Sequence, residues 1–164
     1  MVVEILKMLQ QAMDFAEDGN FDDALKTYDV VLKQEPENIL ALIDKGATLQ
    51  NMGRIKLAIK SFNRALKISP QNLDALLNKG AALHSDGKYP EAILCYDAAL
   101  KIDKKCAMAL AYKGLSLGEM SQLEDAIKHF KKALSIDKEY DLAHISKEIA
   151  QELLKSIKEK KAKT

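Results

Sequence analysis

The sequence predicts an all-α fold built from repeated pairs of helices, and two observations lead to this prediction. The composition is 48% apolar, 30% charged and only 5% aromatic, with seven glycines and three prolines. This shortage of strand-forming and turn-forming residues favours helices. Segments of the chain also align with one another at a period of 34 residues. A fixed period of this size is typical of a solenoid or an array of small helical units.

The repeats are clearest where the segments DKGATLQNMG, NKGAALHSDG and YKGLSLGEMS fall in the same register. They place whole repeats at 39–72, 73–106 and 107–140, and a more divergent copy at 5–38. We expect one domain that spans residues 1–164, with residues 141–159 forming a C-terminal helix that caps the array or exchanges with another copy.

Each repeat is predicted to contain two amphipathic helices joined by a short turn. The turns are expected at Gly19-Asn20, Gly53-Arg54, Gly87-Lys88 and Ser121-Gln122. Glycine is a common helix stop, and it takes this place in three of the four turns. The Gly-Lys pair in the third turn does not indicate a nucleotide site, because the glycine before it is too distant for a phosphate-binding loop.

A second set of glycines lies inside the first helix of three repeats, at Gly46, Gly80 and Gly114. Glycine inside a helix costs about 1 kcal/mol relative to alanine, so some interaction must offset this cost. The second helices carry an aromatic ring at one recurring position, occupied by Phe62, Tyr96 and Phe130. We therefore expect the glycines to let the two helices approach closely while the ring fills the remaining space.

The repeated pattern of Gly, Tyr, Ala, Phe and Pro resembles the tetratricopeptide repeat (TPR), and the resemblance covers residues 5–140. Three features depart from the family pattern, and one is that the closing proline survives only as Pro36 and Pro70. The leading tryptophan is replaced by Met8, Leu42, Leu76 and Leu110. A place that usually holds leucine holds Lys45, Lys79 and Lys113, whose long stems we expect to lie along the groove between repeats.

The resemblance implies a right-handed superhelical solenoid whose concave wall is made by the first helix of each pair. In TPR proteins this wall binds an extended or helical peptide of another protein. Candidate peptide-binding residues on this wall are Leu9, Met13, Leu40, Ile43, Gln50, Asp74, Leu77, His84, Met108, Ala111 and Leu115. The alternative for the small residues Ala47, Ala81 and Ala111 is that they belong to the core between repeats.

Some TPR proteins clamp the acidic C-terminus of heat-shock chaperones with lysine, arginine and asparagine from successive repeats. The corresponding places here are Leu9, Met13, Asp44, Asp74 and Asn78, or one repeat later Ile43, Ala47, Asn78, Met108 and Tyr112. Neither set contains a cation, and the first contains two aspartates. The resemblance therefore does not imply binding of chaperone tails.

The last segment is predicted to be helical, with an apolar stripe at Leu142, Ile145, Ile149, Leu153 and Ile157. If this helix simply continued the register of the repeats, its packing positions would be the polar His144, Lys147, Glu148 and Gln151. We therefore expect the helix to deviate from simple continuation by rotating, entering the groove or crossing to a second copy. The lysine-rich end, 155–163, is expected to be solvated and frayed.

No motif indicates catalysis, a cofactor or a metal. The histidines His84, His129 and His144 are scattered, and the two cysteines lack zinc-ligand spacing. Lys plus Arg is 25 and Asp plus Glu is 24, so the net charge of +1 favours neither nucleic acid nor an acidic membrane surface. The N-terminus has neither the basic leader of a signal peptide nor an uninterrupted apolar span, so we expect a cytoplasmic protein.

These observations predict a non-catalytic adaptor, a protein–protein interaction scaffold that binds an apolar or amphipathic peptide segment in its concave groove. The alternative is a self-associating structural module, a homo-oligomer in which the C-terminal helix covers its own groove or that of a partner copy.

Overall fold

The computed structural model describes residues 2–162, and within them every regular element is an α-helix. The chain divides into two compact units, Met1–Asp86 and Gly87–Thr164. The boundary falls at the turn inside the third repeat, so the first unit contains two helical pairs and one further helix, and the second contains one pair and two further helices.

The first unit contains five helices: α1 (Val2–Glu17), α2 (Phe21–Gln34), α3 (Ile39–Asn51), α4 (Ile55–Ile68) and α5 (Leu73–Ser85). Helices α1 and α2 form one pair, α3 and α4 form the next, and α5 packs against both members of that second pair. The core runs continuously from α1 to α5, and its largest fully buried side chains are Tyr28, Phe62, Leu42 and Val31.

The second unit contains α6 (Tyr89–Ile102), α7 (Ala107–Glu119), α8 (Leu123–Ile136) and α9 (Asp141–Ala162). Helices α7 and α8 form a pair, with α6 packed on α7 and α9 packed on α8. The buried residues Leu110, Leu117 and Phe130 are central to its core.

The turn inside each pair closes with a residue in the left-handed backbone region, as the sequence predicts. Gly19, Gly53 and Gly87 have φ values of 79°, 73° and 74°, and Ser121 adopts 61° at the equivalent place. In the second repeat the N–H of Arg54 donates to the carbonyl of Leu49 at 2.8 Å, which closes a Schellman motif. Ser121 holds the same conformation with a Cβ, which is a source of local strain.

The first helix of three repeats begins with a side-chain cap. The Asn38 and Asn72 side chains accept hydrogen bonds from the Ala41 and Ala75 N–H groups at 2.9 and 2.8 Å. At the equivalent place in the second unit, the Cys106 sulfur accepts a longer bond of 3.4 Å from the Ala109 N–H. These caps satisfy N–H groups that a helix start leaves without a partner.

The mid-helix glycines pack directly against the aromatic ring of the second helix, which confirms the prediction for Gly46 and Gly114. A Cβ added to Gly46 would lie 2.5 Å from the Phe62 ring, and one added to Gly114 would lie 2.6 Å from the Phe130 ring. Real Cβ atoms essentially never lie that close to another heavy atom, so only glycine fits without movement of the ring. The ring contact offsets the helix-propensity cost of the glycine.

Two of the three recurring lysines connect neighbouring repeats. Lys45 Nζ lies 2.5 Å from Asp29 Oδ1, and Lys113 Nζ lies 2.6 Å from Asp97 Oδ1. Both lysine side chains are largely buried along their stems, with 22% and 18% exposed, as the sequence predicts. The residue equivalent to the two aspartates before Lys79 is Asn63, so this ion pair does not recur in the third repeat.

Helix α9 continues the array instead of deviating from it, so the prediction of a deviation is wrong. It begins 34 residues after α7 and packs against α8 and α7, as α5 packs against α4 and α3. Ala143 and Ala150 are buried at the places that Ala109 and Ser116 occupy in α7. These small residues allow the close approach, and the half-buried Leu154 packs on the same core.

The apolar stripe of α9 lies outside that core. Its side chains keep large exposed fractions: Ile145 58%, Ile149 60%, Leu153 51% and Ile157 38%. The predicted deviation was based on the polar residues next to Ala143 and Ala150 and gave no weight to these two buried alanines. The helix extends to Ala162, whereas Lys163 lies outside the described residues.

Two substitutions in α7 test the glycine packing. Gly114→Ala should lower the free energy of unfolding by about 1–3 kcal/mol, because the new Cβ overpacks the Phe130 ring. Gly118→Ala in the same helix should raise it by up to about 1 kcal/mol, because no atom lies within 4 Å of its added Cβ. Urea unfolding followed by circular dichroism measures both, and equal effects of the two substitutions would contradict the packing role.

Candidate functional site

Within each unit, the first helices of the pairs leave one side open, which we call the first-helix face. In the first unit, α3 lies against both α1 and α5, so this face is continuous across three helices. It is formed by residues at spacings of four, three and four, which lie on one side of a helix. They are Leu6, Gln10, Met13 and Glu17 on α1, Leu40, Asp44, Ala47 and Asn51 on α3, and Asp74, Asn78, Ala81 and Ser85 on α5.

Four of the predicted peptide-binding residues are buried in the protein's own core. Their exposed fractions are 4% for Leu9, 8% for Ile43, 8% for Leu77 and 0% for Ala111. Ile43 illustrates the reason: it precedes Asp44 by one residue, which turns it by about 100° towards the neighbouring helices. The prediction that these four side chains are exposed on the wall is therefore wrong.

The remaining predicted residues are accessible to different degrees. Leu40 is 49% exposed and Asp74 is exposed, while Met13, Gln50 and His84 are half-buried in the first unit. Met108, 45% exposed, and the half-buried Leu115 lie on α7 in the second unit. Met13, Leu40 and Asp74 belong to the first-helix face, and Gln50 and His84 border it.

A pocket of about 220 Å³ opens on the first-helix face between α1 and α3. Its lining residues come from three helices and combine apolar, hydroxyl and acidic groups. They are Met13, Ala16 and Glu17 from α1, Tyr28 from α2, and Asp44, Ala47, Thr48 and Asn51 from α3. Only Met13 was predicted as a binding residue, and the sequence singled out Asp44 only as a place where a cation is missing.

Asp44 is the unusual group of this pocket. Its side chain is half-buried, and its Oδ2 atom is fully buried without a hydrogen-bond donor. Burial, together with the negative charge of Asp74, raises the pKa of the Asp44 carboxyl to about 6. Burial raises the pKa of the neighbouring Tyr28 hydroxyl, and the negative charge of Asp44 raises it further. Thr48 donates its hydroxyl hydrogen to the Asp44 backbone carbonyl at 2.9 Å, not to the carboxylate.

The first-helix face of the first unit is acidic. Its carboxylates are Glu17, Asp44 and Asp74, and none of its residues is a lysine or an arginine. In the second unit the equivalent residues are Met108, Tyr112, Leu115 and Glu119 on α7, and Leu142, Ser146, Ile149 and Leu153 on α9. That surface is more apolar, and again no cation lies on it.

Other kinds of site find no support within residues 2–162. No group of three or more His, Cys, Asp or Glu side chains in this range is arranged to hold a metal ion. Among the helices of the described chain, none combines the length and the apolar character that crossing a membrane requires.

The raised pKa of Asp44 predicts a pH-dependent loss of stability. Because the folded protein binds the Asp44 proton more tightly than the unfolded chain, this group favours folding below about pH 4, and its contribution is lost as the pH rises through 6. Asp44→Asn should therefore raise the free energy of unfolding by about 1–2 kcal/mol near pH 7.5, a range reduced for solvent screening of a half-buried group. Near pH 4 the two proteins should differ little.

Urea unfolding of both proteins across this pH range measures the difference. A constant difference between the two proteins would contradict the raised pKa.

Comparison with known proteins places this geometry in a family. Residues 9–71, 43–105 and 109–140 match tetratricopeptide repeat families. A search of curated protein sequences finds no significant match.

Solved structures share the fold over most of the chain. A crystal structure of the MamA protein is 25% identical, with a TM-score of 0.80 over 93% of this chain and 83% of that one. MamA from Desulfovibrio magneticus RS-1 is 22% identical, with a TM-score of 0.77 over 98% and 96%. The first TPR of Spaghetti (RPAP3), bound to the HSP90 peptide SRMEEVD, is 20% identical, with a TM-score of 0.68 over 71% and 92%.

The repeated helical pairs, the packed glycines and the family matches over most of the sequence lead to one conclusion: the chain belongs to the tetratricopeptide repeat family.

Proposed function

We propose that this protein is a non-catalytic scaffold whose first-helix face binds an amphipathic segment of another protein. The fold supports this proposal, because TPR proteins are interaction scaffolds and one structural neighbour is bound to a peptide. The observation that carries it is the presence of large apolar side chains on an otherwise polar face of the first unit. Leu6 is 58% exposed, Leu40 is 49% exposed, and the half-buried Met13 lies beside the pocket.

The size of this apolar surface suits moderate affinity. Burying one fully exposed leucine-sized side chain contributes about 1.5–3 kcal/mol, but these three are already about half-buried and together contribute roughly 2–5 kcal/mol before the costs of association. Ordering a flexible segment removes part of this gain. Micromolar binding, equivalent to about −8 kcal/mol, then requires further polar contacts from the acidic residues of the face.

Substitution of Leu40 tests this proposal against a matched control. Leu57 on α4 has nearly the same exposed fraction, 50% against 49%, but it does not belong to the first-helix face. The probe is the tightest binder selected by the full chain from a random library of peptides of about twelve residues. Leu40→Gln should weaken its binding about tenfold or more, whereas Leu57→Gln should change it less than about twofold.

Fluorescence anisotropy measures the affinities, and circular dichroism checks that both variants keep their helices. If Leu40→Gln binds as tightly as the unsubstituted protein, the first-helix face is not the binding surface.

The exposed stripe of α9 favours a second candidate function, self-association. At the places of Ile145 and Ile149, α3 has Ile43 and Ala47, and Ile43 is covered within the core of the first unit. In α9 the equivalent surface is open, and soluble proteins rarely leave large apolar patches uncovered. We infer that a second copy of the chain covers it.

Charge favours an antiparallel pairing of two α9 helices. Residues 141–152 carry Asp141, Glu148 and Glu152 against Lys147, whereas residues 153–162 carry four lysines against Glu159. An antiparallel pair brings the acidic half of each helix to the basic half of the other, and a parallel pair would bring like charges together. The exposed side of α1 is not an alternative partner for the α9 stripe, because it carries the charged residues Lys7 and Asp14. Later repeats have alanine, serine or threonine at these two places.

Light scattering on the full chain tests this pairing. The unsubstituted protein should be a dimer at about 100 µM, Ile149→Glu should be a monomer, and the control Gln151→Glu, which adds the same charge beside the stripe, should remain a dimer. A monomeric unsubstituted protein at this concentration would rule out the second candidate.

A further inference from the structure

We infer that the pocket between α1 and α3 accepts the cationic end of a lysine or arginine side chain from the bound segment. This inference rests on the proposed binding at the first-helix face and specifies the chemistry of the partner there. It is carried by the pocket, by the unpartnered Asp44 carboxylate oxygen and by the absence of cations from the surrounding face.

The size and lining of the pocket suit one long side chain. Pockets for whole small molecules usually measure about 300–1,000 Å³, and this pocket, at about 220 Å³, is smaller. Met13, Ala16 and Ala47 supply apolar contacts for a methylene stem, and Asp44 supplies a carboxylate. Lysine and arginine combine an apolar stem with a charged end in the same way.

The fold does not require a carboxylate at the position of Asp44. The equivalent residues of the other first helices are Gln10, Asn78, Tyr112 and Ser146, which are all neutral and polar. Among the five first helices, only α3 has a charged residue at this position, and α3 also lines the pocket. A buried carboxylate oxygen without a donor is unfavourable, and a nearby ammonium or guanidinium group would compensate its charge.

The surrounding charges have one sign. Asp74 on α5 acts on Asp44 electrostatically, and Glu17 on α1 lines the same pocket. The neutral Tyr28 hydroxyl on α2 also interacts with Asp44, and Tyr28 lines the pocket. An acidic peptide would therefore be repelled from this pocket, whereas a basic side chain would be attracted by three carboxylates.

Ionisation of Asp44 gives this recognition a pH dependence. A cationic side chain binds the ionised carboxylate better than the protonated one, so affinity should rise between about pH 5 and pH 7 and level off above it. This rise should disappear in Asp44→Asn, because the titrating group is absent.

Peptide selection on the full chain tests the inference. Peptides selected from a random library should contain lysine or arginine between apolar residues more often than the unselected library. In the tightest peptide, replacing that lysine or arginine by norleucine should weaken binding about tenfold, because norleucine keeps an apolar stem and removes the charge. The same replacement should change binding less than about threefold in Asp44→Asn, and about tenfold in the control Glu37→Gln, whose exposed carboxylate lies outside the pocket.

The outcomes separate this inference from the function on which it rests. Selected peptides that show no preference for cations would overturn the inference and leave the peptide-binding scaffold intact. A cation preference that persists at full strength in Asp44→Asn would overturn the assignment to this pocket. If no peptide is selected at all, both the inference and the proposed function fail.

Discussion

The contact between a glycine of the first helix and an aromatic ring of the second determines how α3 packs on α4 and how α7 packs on α8. Phe62 on α4 occupies the space that a Cβ of Gly46 would need, and Phe130 on α8 does the same at Gly114. Because the backbone of one helix meets the ring of the other directly, the two axes lie close together and in one orientation. The left-handed turn at Gly53 or Ser121 then reverses the chain within a few residues, and the next first helix packs on the pair.

This packing decides which side of a first helix is available to a partner. In the first unit, α3 contacts its own second helix, the preceding second helix and the first helices on either side. Only the strip that contains Leu40, Asp44 and Ala47 remains open, and Ile43, one residue away, is covered. The position of this open strip is thus a consequence of the repeat, whereas its chemistry is set by residues that differ from one repeat to the next.

The 34-residue period was sufficient to predict the helices, the turns and the packing role of Gly46 and Gly114, because these depend on interactions within one repeat. The exposed face was harder to predict, since an error of one residue rotates a side chain by about 100°. Ile43 and Leu40 are both apolar, so apolar character alone does not show which of them is exposed. The pocket could not be predicted, because its lining joins residues of three helices and the raised pKa of Asp44 depends on burial and on the charge of Asp74 from a fourth helix. For α9 the predictive signal was present in Ala143 and Ala150 but was outweighed by their polar neighbours.

At the position of Asp44, the residue that the fold requires differs from the residue that the proposed binding would require. A neutral residue at its position is compatible with the fold, since the other four first helices each have one, and the raised pKa shows that the ionised carboxylate is disfavoured where it stands. The fold alone therefore gives no reason for an acid at this position. A cationic group arriving with a partner would supply one, because the same carboxylate that weakens the free protein near neutral pH would strengthen the complex.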